Sequence, residues 1–240
     1  FIFEAGTGNS PANYCYLEIY QEKLYFRDAT SGSSNWEFQT SQLFRDVSAW
    51  YHCVVAVDTT QASSGNRVKI YLNGSQITAF GTETQPSQDY DSYVNNTVQH
   101  AIGASKLASN HYFDGYLAEF YLIDGTALTP ASFGETNSDT NQWVPVKYSG
   151  SYGTNGFYLK FQDSSALGDD SSGNNNDFTV TNLAATDQVL DSPTNNFATL
   201  NPLWMSGSND SSRKFEEGNT KGANTGATNW KNYVTTQNIT

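Results

Sequence analysis

The sequence predicts an all-β protein built as an antiparallel sandwich. Short segments alternate between apolar and polar residues, as strands with one buried face do. Clusters of Gly, Asn, Ser and Thr separate these segments at short intervals, and such residues favour turns. No stretch repeats its apolar residues with the helical period of about 3.6 residues. The 240 residues suffice for one large sandwich with its own core.

The first strands are predicted from alternation in the N-terminal quarter of the chain. Residues 14–20 alternate regularly, and residues 24–27 continue the pattern. A turn cluster at 28–35 separates them from a short strand at 36–38. Residues 50–57 are apolar almost throughout, which predicts a strand covered on both faces.

A β-hairpin is predicted at residues 68–78. Alternate apolar residues within 68–72 share one face, and Asn73 and Gly74 follow directly. Asn-Gly suits a two-residue hairpin turn, because both central positions require positive φ. Residues 76–78 then form the return strand.

A long acidic loop, residues 81–97, follows the hairpin. It carries tyrosine and asparagine residues, and long ordered loops on a sandwich are where binding commonly occurs. Further strands are predicted at 100–103, 116–123, 156–161 and 178–180.

Composition divides the chain into three parts. Residues 1–135 hold the sandwich, and residues 136–155 form a connector with a Trp-Val-Pro anchor. Residues 156–240 form an extended β and irregular segment, which either starts a second domain or wraps a partner as a tail. The chain opens at Phe1 in what reads as mid-strand and ends at Thr240 without a closing element. We therefore expect an excerpt of a longer polypeptide, with the N-terminal strand of the sandwich missing.

Charge and cysteine content exclude several classes of protein. The net charge of −12 disfavours nucleic acid and anionic membranes as partners, since both attract clustered Lys and Arg. The surplus of carboxylates serves solubility, and it also suits calcium, which prefers oxygen ligands. Cys15 and Cys53 stand inside apolar strands, so two free thiols are predicted over a disulfide. No apolar run has the ~18–20 residues that a membrane helix needs.

Three motifs occur in a fixed order within residues 50–133. Residues 50–58 carry a Trp-x-His strand, residues 68–74 a Tyr-Leu-Asn-Gly hairpin, and residues 113–130 the series Asp-Gly-Tyr-Leu-x-Glu and Leu-Thr-Pro. In this order they resemble the closing half of a laminin-G-like, or concanavalin A-like, jelly roll. The resemblance implies an antiparallel jelly-roll sandwich. Ala118 stands where family members usually carry an acidic residue.

The later residues extend the resemblance. Residues 156–180 are similar to the opening strand of such a domain, so they either start a second domain or close the first. Residues 150–159 and 195–202 resemble segments of large structural proteins of bacterial viruses, particularly marine ones. That wider resemblance implies a tail-fibre, appendage or capsid-decoration protein, oligomeric in an assembly and located on the virion surface or outside the cell.

Catalysis is not expected. The fold also hosts glycoside hydrolases, which need two carboxylates about 5 Å apart or, for inversion, further apart. The Glu-x-Asp-x-x-Glu strand of those related enzymes is absent from the sequence. No nucleophile-elbow motif accompanies His52, His100 or His111. We predict that the chain is not an enzyme.

The long loop supplies the candidate ligand-binding residues. Tyr90, Tyr93 and Tyr112 offer rings on which a sugar can stack, and Asp91 and Asn95 offer hydrogen bonds to its hydroxyl groups. The alternative is a solvated tyrosine-rich rim or a contact with another protein.

Two acidic loops are candidate calcium sites. Asp89, Asp91 and Asn95 offer oxygen ligands on one loop, and residues 169–170 with 174–177 offer the same on the other. Neither matches a twelve-residue EF-hand loop. The alternative is that these Asp and Asn side chains stabilise turns.

The expected function is a non-catalytic structural module of a viral appendage that binds a cell-surface glycan or a neighbouring subunit. One alternative is a purely architectural virion subunit. The other is a secreted bacterial adhesin, or a carbohydrate-binding module of a larger enzyme.

Overall fold

The computed structural model describes residues 1–7, 12–47, 49–105, 111–189 and 192–193, and the backbone of strands at 213–216 and 221–224. Within these residues the structure is built from strands, with three short 3₁₀ turns and no α-helix. In chain order the strands are β1 (Phe3–Gly6), β2 (Tyr14–Tyr20), β3 (Lys23–Thr30), β4 (Ser33–Thr40), β5 (Cys53–Val57), β6 (Val68–Leu72), β7 (Ser75–Gln76), β8 (Phe80–Thr84), β9 (Gln99–Ile102), β10 (Phe120–Leu122), β11 (Gly134–Thr136), β12 (Trp143–Pro145), β13 (Phe157–Leu159), β14 (Arg213–Glu216) and β15 (Lys221–Asn224). The predicted all-β class is confirmed. The described segments contain no helix of the length and apolarity that a membrane span requires.

Two antiparallel layers form the sandwich. One layer is a six-stranded sheet in the order β8-β4-β3-β2-β1-β9. The other contains the three-stranded sheet β5-β6-β7 and the pair β10-β13. Two further pairs, β11-β12 and β14-β15, complete the strands of the described chain. The chain thus builds most of one layer before it begins the other.

The core lies between the layers. Trp36 and Phe38 from the six-stranded sheet are 0% and 1% exposed, and Ile70 from β6 is 1% exposed. These residues pack in one apolar cluster with Phe3, Ala5, Cys15, Leu17, Leu24, Phe26, Val68, Leu72 and Ile77. Cys15 and Cys53 are free thiols, as predicted.

Two tight hairpins set the strand registers. Asn73 and Gly74 have φ of 47° and 80°, so the predicted Asn-Gly turn is confirmed. Ser31 and Gly32 have φ of 52° and 78° and make a similar turn between β3 and β4. The predicted turn cluster at 28–35 was therefore too long, because the strands continue to Thr30 and resume at Ser33.

Several predicted strands are shorter in the structure. The strand expected from Trp50 begins only at Cys53, where pairing with β6 starts. The strand expected at 116–123 is reduced to β10, since the residue before it, Glu119, has a φ of 58° that interrupts extended backbone. Residues 178–180 do not form a strand.

The predicted long loop is also shorter than expected. Strand β8 occupies its first residues and pairs with β4, so the connection that remains is 85–98. We call this connection the rim loop.

Strand β13 joins the second half of the chain to the sandwich. It pairs with β10, with Phe120 opposite Leu159 and Leu122 opposite Phe157. The ring of Phe120 lies 6.1 Å from that of Phe3 in β1, so β10 faces the inner side of the six-stranded sheet. The predicted tail contacts beyond residue 193 lie outside the described residues, apart from the pairing of β14 with β15.

Candidate functional site

The rim loop is attached to the sandwich by one buried carboxylate. Asp28 is 0% exposed and faces the end of the core. The hydroxyls of Tyr90 and Ser92 donate to its oxygens, each at 2.7 Å, and the backbone N–H of Tyr93 donates at 3.2 Å. Asn35 Nδ2 donates a fourth hydrogen bond at 2.9 Å. The loop is therefore held in one conformation by a partner that lies about 62 to 65 residues earlier in the chain.

The candidate tyrosines of this loop are used in packing as well as in hydrogen bonding. Tyr90 and Tyr93 are half-buried against the core cluster. The Tyr90 hydroxyl also accepts from Asn35 Nδ2 at 2.6 Å, and the Tyr93 hydroxyl lies 3.3 Å from Thr30 Oγ1. Burial, followed by the contact with Asp28, raises the pKa of Tyr90. Only part of each ring is left for a ligand.

The polar candidates of the loop have different surroundings. Asp91 is exposed and accepts from Asn96 Nδ2 at 3.2 Å. Asn95 Nδ2 donates to Asp124 at 2.6 Å, and its backbone N–H donates to His100 Nε2 at 3.2 Å. On the rim loop, Asp91 is therefore exposed to solvent, whereas the side chain of Asn95 points toward Asp124.

Tyr112 lies apart from the other candidates. It follows β9, in a bridge with Ala104, and is 62% exposed. The rim loop precedes β9, so the strand separates the two. The structure groups Tyr90, Asp91, Tyr93 and Asn95 but places Tyr112 at the opposite end of β9.

The candidate calcium ligands differ in burial, since Asp89 and Asp91 are exposed and Asn95 is half-buried. Asp89 is exposed with a φ of 56°, and the described residues include no group of three or more His, Cys, Asp and Glu side chains that could hold a metal ion. Calcium binding at Asp89, Asp91 and Asn95 stays a prediction.

The second acidic loop is a hydrogen-bonded turn. Asp170 accepts from the N–H groups of Tyr158 and Ser172, each at 2.8 Å, and from Ser172 Oγ at 2.7 Å and the N–H of Asn176 at 3.0 Å. Burial opposes ionisation, but these hydrogen bonds outweigh it and lower the pKa of Asp170. Asn174 and Asn176 both donate to the carbonyl of Gly156, at 2.8 and 2.9 Å. The carboxylate oxygens of Asp170 are therefore already satisfied by the protein.

A third surface, which sequence reasoning did not single out, covers the six-stranded sheet. We call it the outer face: the side chains of β1 to β4 that point away from the core. One row across the strands runs Glu4, Tyr16, Arg27, Glu37. The next row runs Glu18, Tyr25, Gln39. The alternation in residues 14–27 is the sequence pattern that indicates this face, because it places these side chains on the opposite side of the strands from Cys15 and Leu17.

The outer face is ordered by contacts between neighbouring side chains. Arg27 Nε donates to Ser34 Oγ at 2.7 Å and lies 3.6 Å from a Glu37 oxygen. Its guanidinium also lies over the ring of Tyr14, 5.9 Å from the centroid. In the next row, Gln39 Nε2 donates to the Tyr25 hydroxyl.

Partial burial shifts the pKa of two side chains on the outer face, Tyr16 and Glu18. Burial, and then the nearby Glu18 carboxylate, raise the pKa of Tyr16 to about 12. Burial also raises the pKa of Glu18, although the N-terminal amine opposes the shift. Tyr16 is therefore a neutral hydroxyl at physiological pH, able to donate and to accept. The surface combines flat rings, neutral donors, a guanidinium and carboxylates.

This two-layer arrangement defines an antiparallel β-sandwich. Residues 1–132 match the family model described as the concanavalin A-like lectin/glucanases superfamily. The match covers more than half of the chain, and the chain belongs to that family. Comparison with curated proteins and with solved structures found no match.

Proposed function

We propose that this chain is a non-catalytic carbohydrate-binding module that holds its glycan on the outer face. The observation that carries the proposal is the row of Tyr16, Arg27 and Glu37 beside the row of Tyr25 and Gln39. A sugar ring has an apolar C–H face and a rim of hydroxyl groups. Tyrosine rings complement the first, and amide, guanidinium and carboxylate groups complement the second. The family membership supports a sugar as the ligand.

The rigidity of the outer face also favours it over the rim loop as the glycan-binding surface. The outer-face groups lie on paired strands of a six-stranded sheet, so little ordering remains to be done when a ligand binds. The rim loop is well held by Asp28, but its tyrosine hydroxyls are directed at the protein. We retain the rim loop, with Asp91, as a second contact region.

A glycan array with matched variants tests the proposal. The full chain is applied with calcium and then with chelator, beside Tyr16→Ala, Asp91→Ala and Tyr71→Ala. Tyr71 is the control, because it is a half-buried tyrosine on β6, in the other layer. We expect Tyr16→Ala to weaken binding about tenfold, the equivalent of one lost aromatic contact. Equal loss in Tyr16→Ala and Tyr71→Ala, or a blank array with folded protein, would contradict the outer-face site.

The array also separates the other expectations. Loss of binding on chelation together with loss of binding in Asp91→Ala would establish calcium at the rim loop. Binding that neither change affects would remove the metal from the proposal.

Incubation of the bound glycans, followed by a reducing-end assay, tests the absence of catalysis. Glu4 and Glu18 stand on the same face, on neighbouring strands, so Glu18→Gln is the variant to compare if products form.

We propose in addition that the module belongs to an appendage of a bacterial virus, with a neighbouring virion protein as its structural partner. The support is the resemblance at residues 150–159 and 195–202 alone. Immunogold labelling of virions from a producing culture tests this role. Label on bacterial cells instead of particles would favour an adhesin, and particles assembled without glycan binding would favour an architectural subunit.

A further inference from the structure

We infer that Tyr121 and Tyr158 form a site of oxidative modification, at which a one-electron oxidant joins the two rings as dityrosine. The carboxylate of Glu119 accepts the protons that the phenols release. The cross-link ties β10 of the sandwich to β13 in the second half of the chain. This inference is independent of the proposed glycan surface, because β10 and β13 do not belong to the six-stranded sheet.

The pairing of β10 with β13 places the two tyrosines directly opposite each other. The backbone N–H of Tyr158 donates to Asp170 and its C=O accepts from Ser171, so both groups point away from β10. Tyr121 and Tyr158 are therefore a non-hydrogen-bonded pair, the arrangement in which cross-strand side chains approach most closely. The neighbouring Phe120 packs against the core, which leaves Tyr121 on the other face of the strand.

The rings of the pair are stacked face to face. Their centroids lie 4.2 Å apart, and their planes differ by 10°. Phenoxyl radicals couple through the ring carbons next to the oxygen, and stacking holds these carbons of one residue close to the other ring. The other tyrosine ring contacts in the described residues have centroids 5.3 to 6.4 Å apart. The reacting groups of this pair are thus already positioned.

One carboxylate accepts from both hydroxyl groups. Tyr158 donates to Glu119 Oε1 at 2.6 Å, and Tyr121 donates to Glu119 Oε2 at 3.3 Å. The φ of Glu119 is 58°, which is uncommon for a residue other than glycine and accompanies these two hydrogen bonds. Glu119 is also exposed, so a proton that it accepts can pass on to water.

Both phenols are neutral at physiological pH and therefore need a proton acceptor when they are oxidised. Burial raises the pKa of Tyr121 to about 12. Burial, followed by the hydrogen bond to Glu119, raises the pKa of Tyr158 as well. A phenol becomes a strong acid when it loses an electron, so its oxidation is easier where a hydrogen-bonded base accepts the proton at once.

The reaction balances with two equivalents of a one-electron oxidant. Each phenol gives one electron to the oxidant and its hydroxyl proton to Glu119, which releases it to water before accepting the next. The two phenoxyl radicals form one C–C bond between the carbons next to their oxygens. Each of these carbons then loses its hydrogen as a proton, and each oxygen regains one. In sum, one C–C bond replaces two C–H bonds, with two electrons and two protons released.

Photo-oxidation of the full 240-residue chain tests the inference. The oxidant is ruthenium(III) tris(bipyridine), generated from the ruthenium(II) complex by light and persulfate. Trypsin cleaves after Lys147, between the two tyrosines, so mass spectrometry detects the cross-link as two joined peptides that have lost two hydrogen atoms. We expect this to be the main dityrosine of the folded chain, formed at a rate independent of protein concentration. Chain unfolded in urea should lose this preference.

Matched variants test the two roles. Tyr121→Phe keeps the ring and removes one phenol, so it should abolish the product. Tyr25→Phe is the control, because the Tyr25 ring meets that of Tyr20 edge to face, at 69°, and it should leave the product unchanged. Glu119→Gln keeps the shape of the side chain and removes the base, so dityrosine fluorescence should rise at least about tenfold more slowly. If a variant does not fold, the cross-links of the unmodified chain decide alone.

Three results would overturn the inference. The first is the absence of the joined peptides after the folded chain has been oxidised. The second is a cross-link between other tyrosines that forms in preference to this one. The third is an equal rate in Glu119→Gln and the parent chain, which would mean that the carboxylate takes no part in the reaction.

Discussion

At the scale of single residues, Asp28 fixes the conformation of the rim loop. Its carboxylate accepts four hydrogen bonds while fully buried, so its removal leaves donors without partners. We predict that Asp28→Ala lowers the free energy of unfolding by about 3 kcal/mol. Urea denaturation measures the change. Asp91→Ala, an exposed carboxylate of the same loop, should stay within about 0.5 kcal/mol of the parent. A similar small change for both variants would contradict the anchoring role.

Two histidines make the fold sensitive to acid. His52 Nδ1 accepts from Trp143 Nε1 at 3.0 Å, and His100 Nε2 accepts from the N–H of Asn95. Protonation removes each acceptor. Burial lowers the pKa of both histidines, partly offset at His52 by Glu119 and at His100 by the Val98 carbonyl.

The sign of the pH effect follows from these lowered values. Between the folded pKa and the unfolded value of about 6.5, the unfolded chain binds more protons than the folded chain. The contribution of each neutral histidine to the free energy of unfolding is therefore fully present above pH about 6.5. It is lost as the pH falls through the folded pKa, by up to about 1.4 kcal/mol per pH unit for each histidine. Urea titrations at several pH values between 5 and 7 measure this slope. His52→Gln should flatten this slope, and an unchanged slope in His52→Gln would contradict the assignment.

At the scale of elements, Trp143 joins the β11-β12 pair to the β6-β7 hairpin. A Cβ added to Gly134 would lie 2.6 Å from its ring, and one added to Gly74 would lie 2.5 Å from it. We predict that Gly134→Ala costs about 1–3 kcal/mol of stability, because the ring must shift. The cost should shrink in a Trp143→Ala background, which a double-mutant cycle measures.

Gly65→Ala is the matched control for this contact. No atom lies within 4 Å of the Cβ position at Gly65, so that substitution should be close to neutral. If Gly134→Ala costs the same with and without Trp143, the indole is not what requires the glycine.

At the scale of the whole molecule, local patterns predicted the strands better than their pairing. Alternation located β2, β3 and β6, and Asn73-Gly74 located a turn, because these features depend on neighbouring residues. The ends of strands were less predictable. Glu119 reads as part of a strand in the sequence, yet its positive φ comes with hydrogen bonds to Tyr121 and Tyr158 that no local pattern contains.

The candidate site was likewise predictable only where it depends on local sequence. Sequence composition identified the rim loop as a long polar segment with tyrosines. It could not show that Tyr90 is committed to Asp28, since the two are 62 positions apart. The outer face depends on register between β2, β3 and β4, which places Tyr16 beside Arg27 only after the hairpins have formed.

Strand β8, which ends the six-stranded sheet on one side within the described residues, has a consequence for handling the protein. Copies of the chain can stack through such an edge, and the net charge of −12 on every copy opposes that contact. The range of this repulsion shrinks from roughly 30 Å in 0.01 M salt to roughly 3 Å in 1 M salt. Concentrated salt, often added to keep proteins dispersed, therefore weakens the repulsion between copies of this acidic chain, and dilute buffer is the better medium for storage.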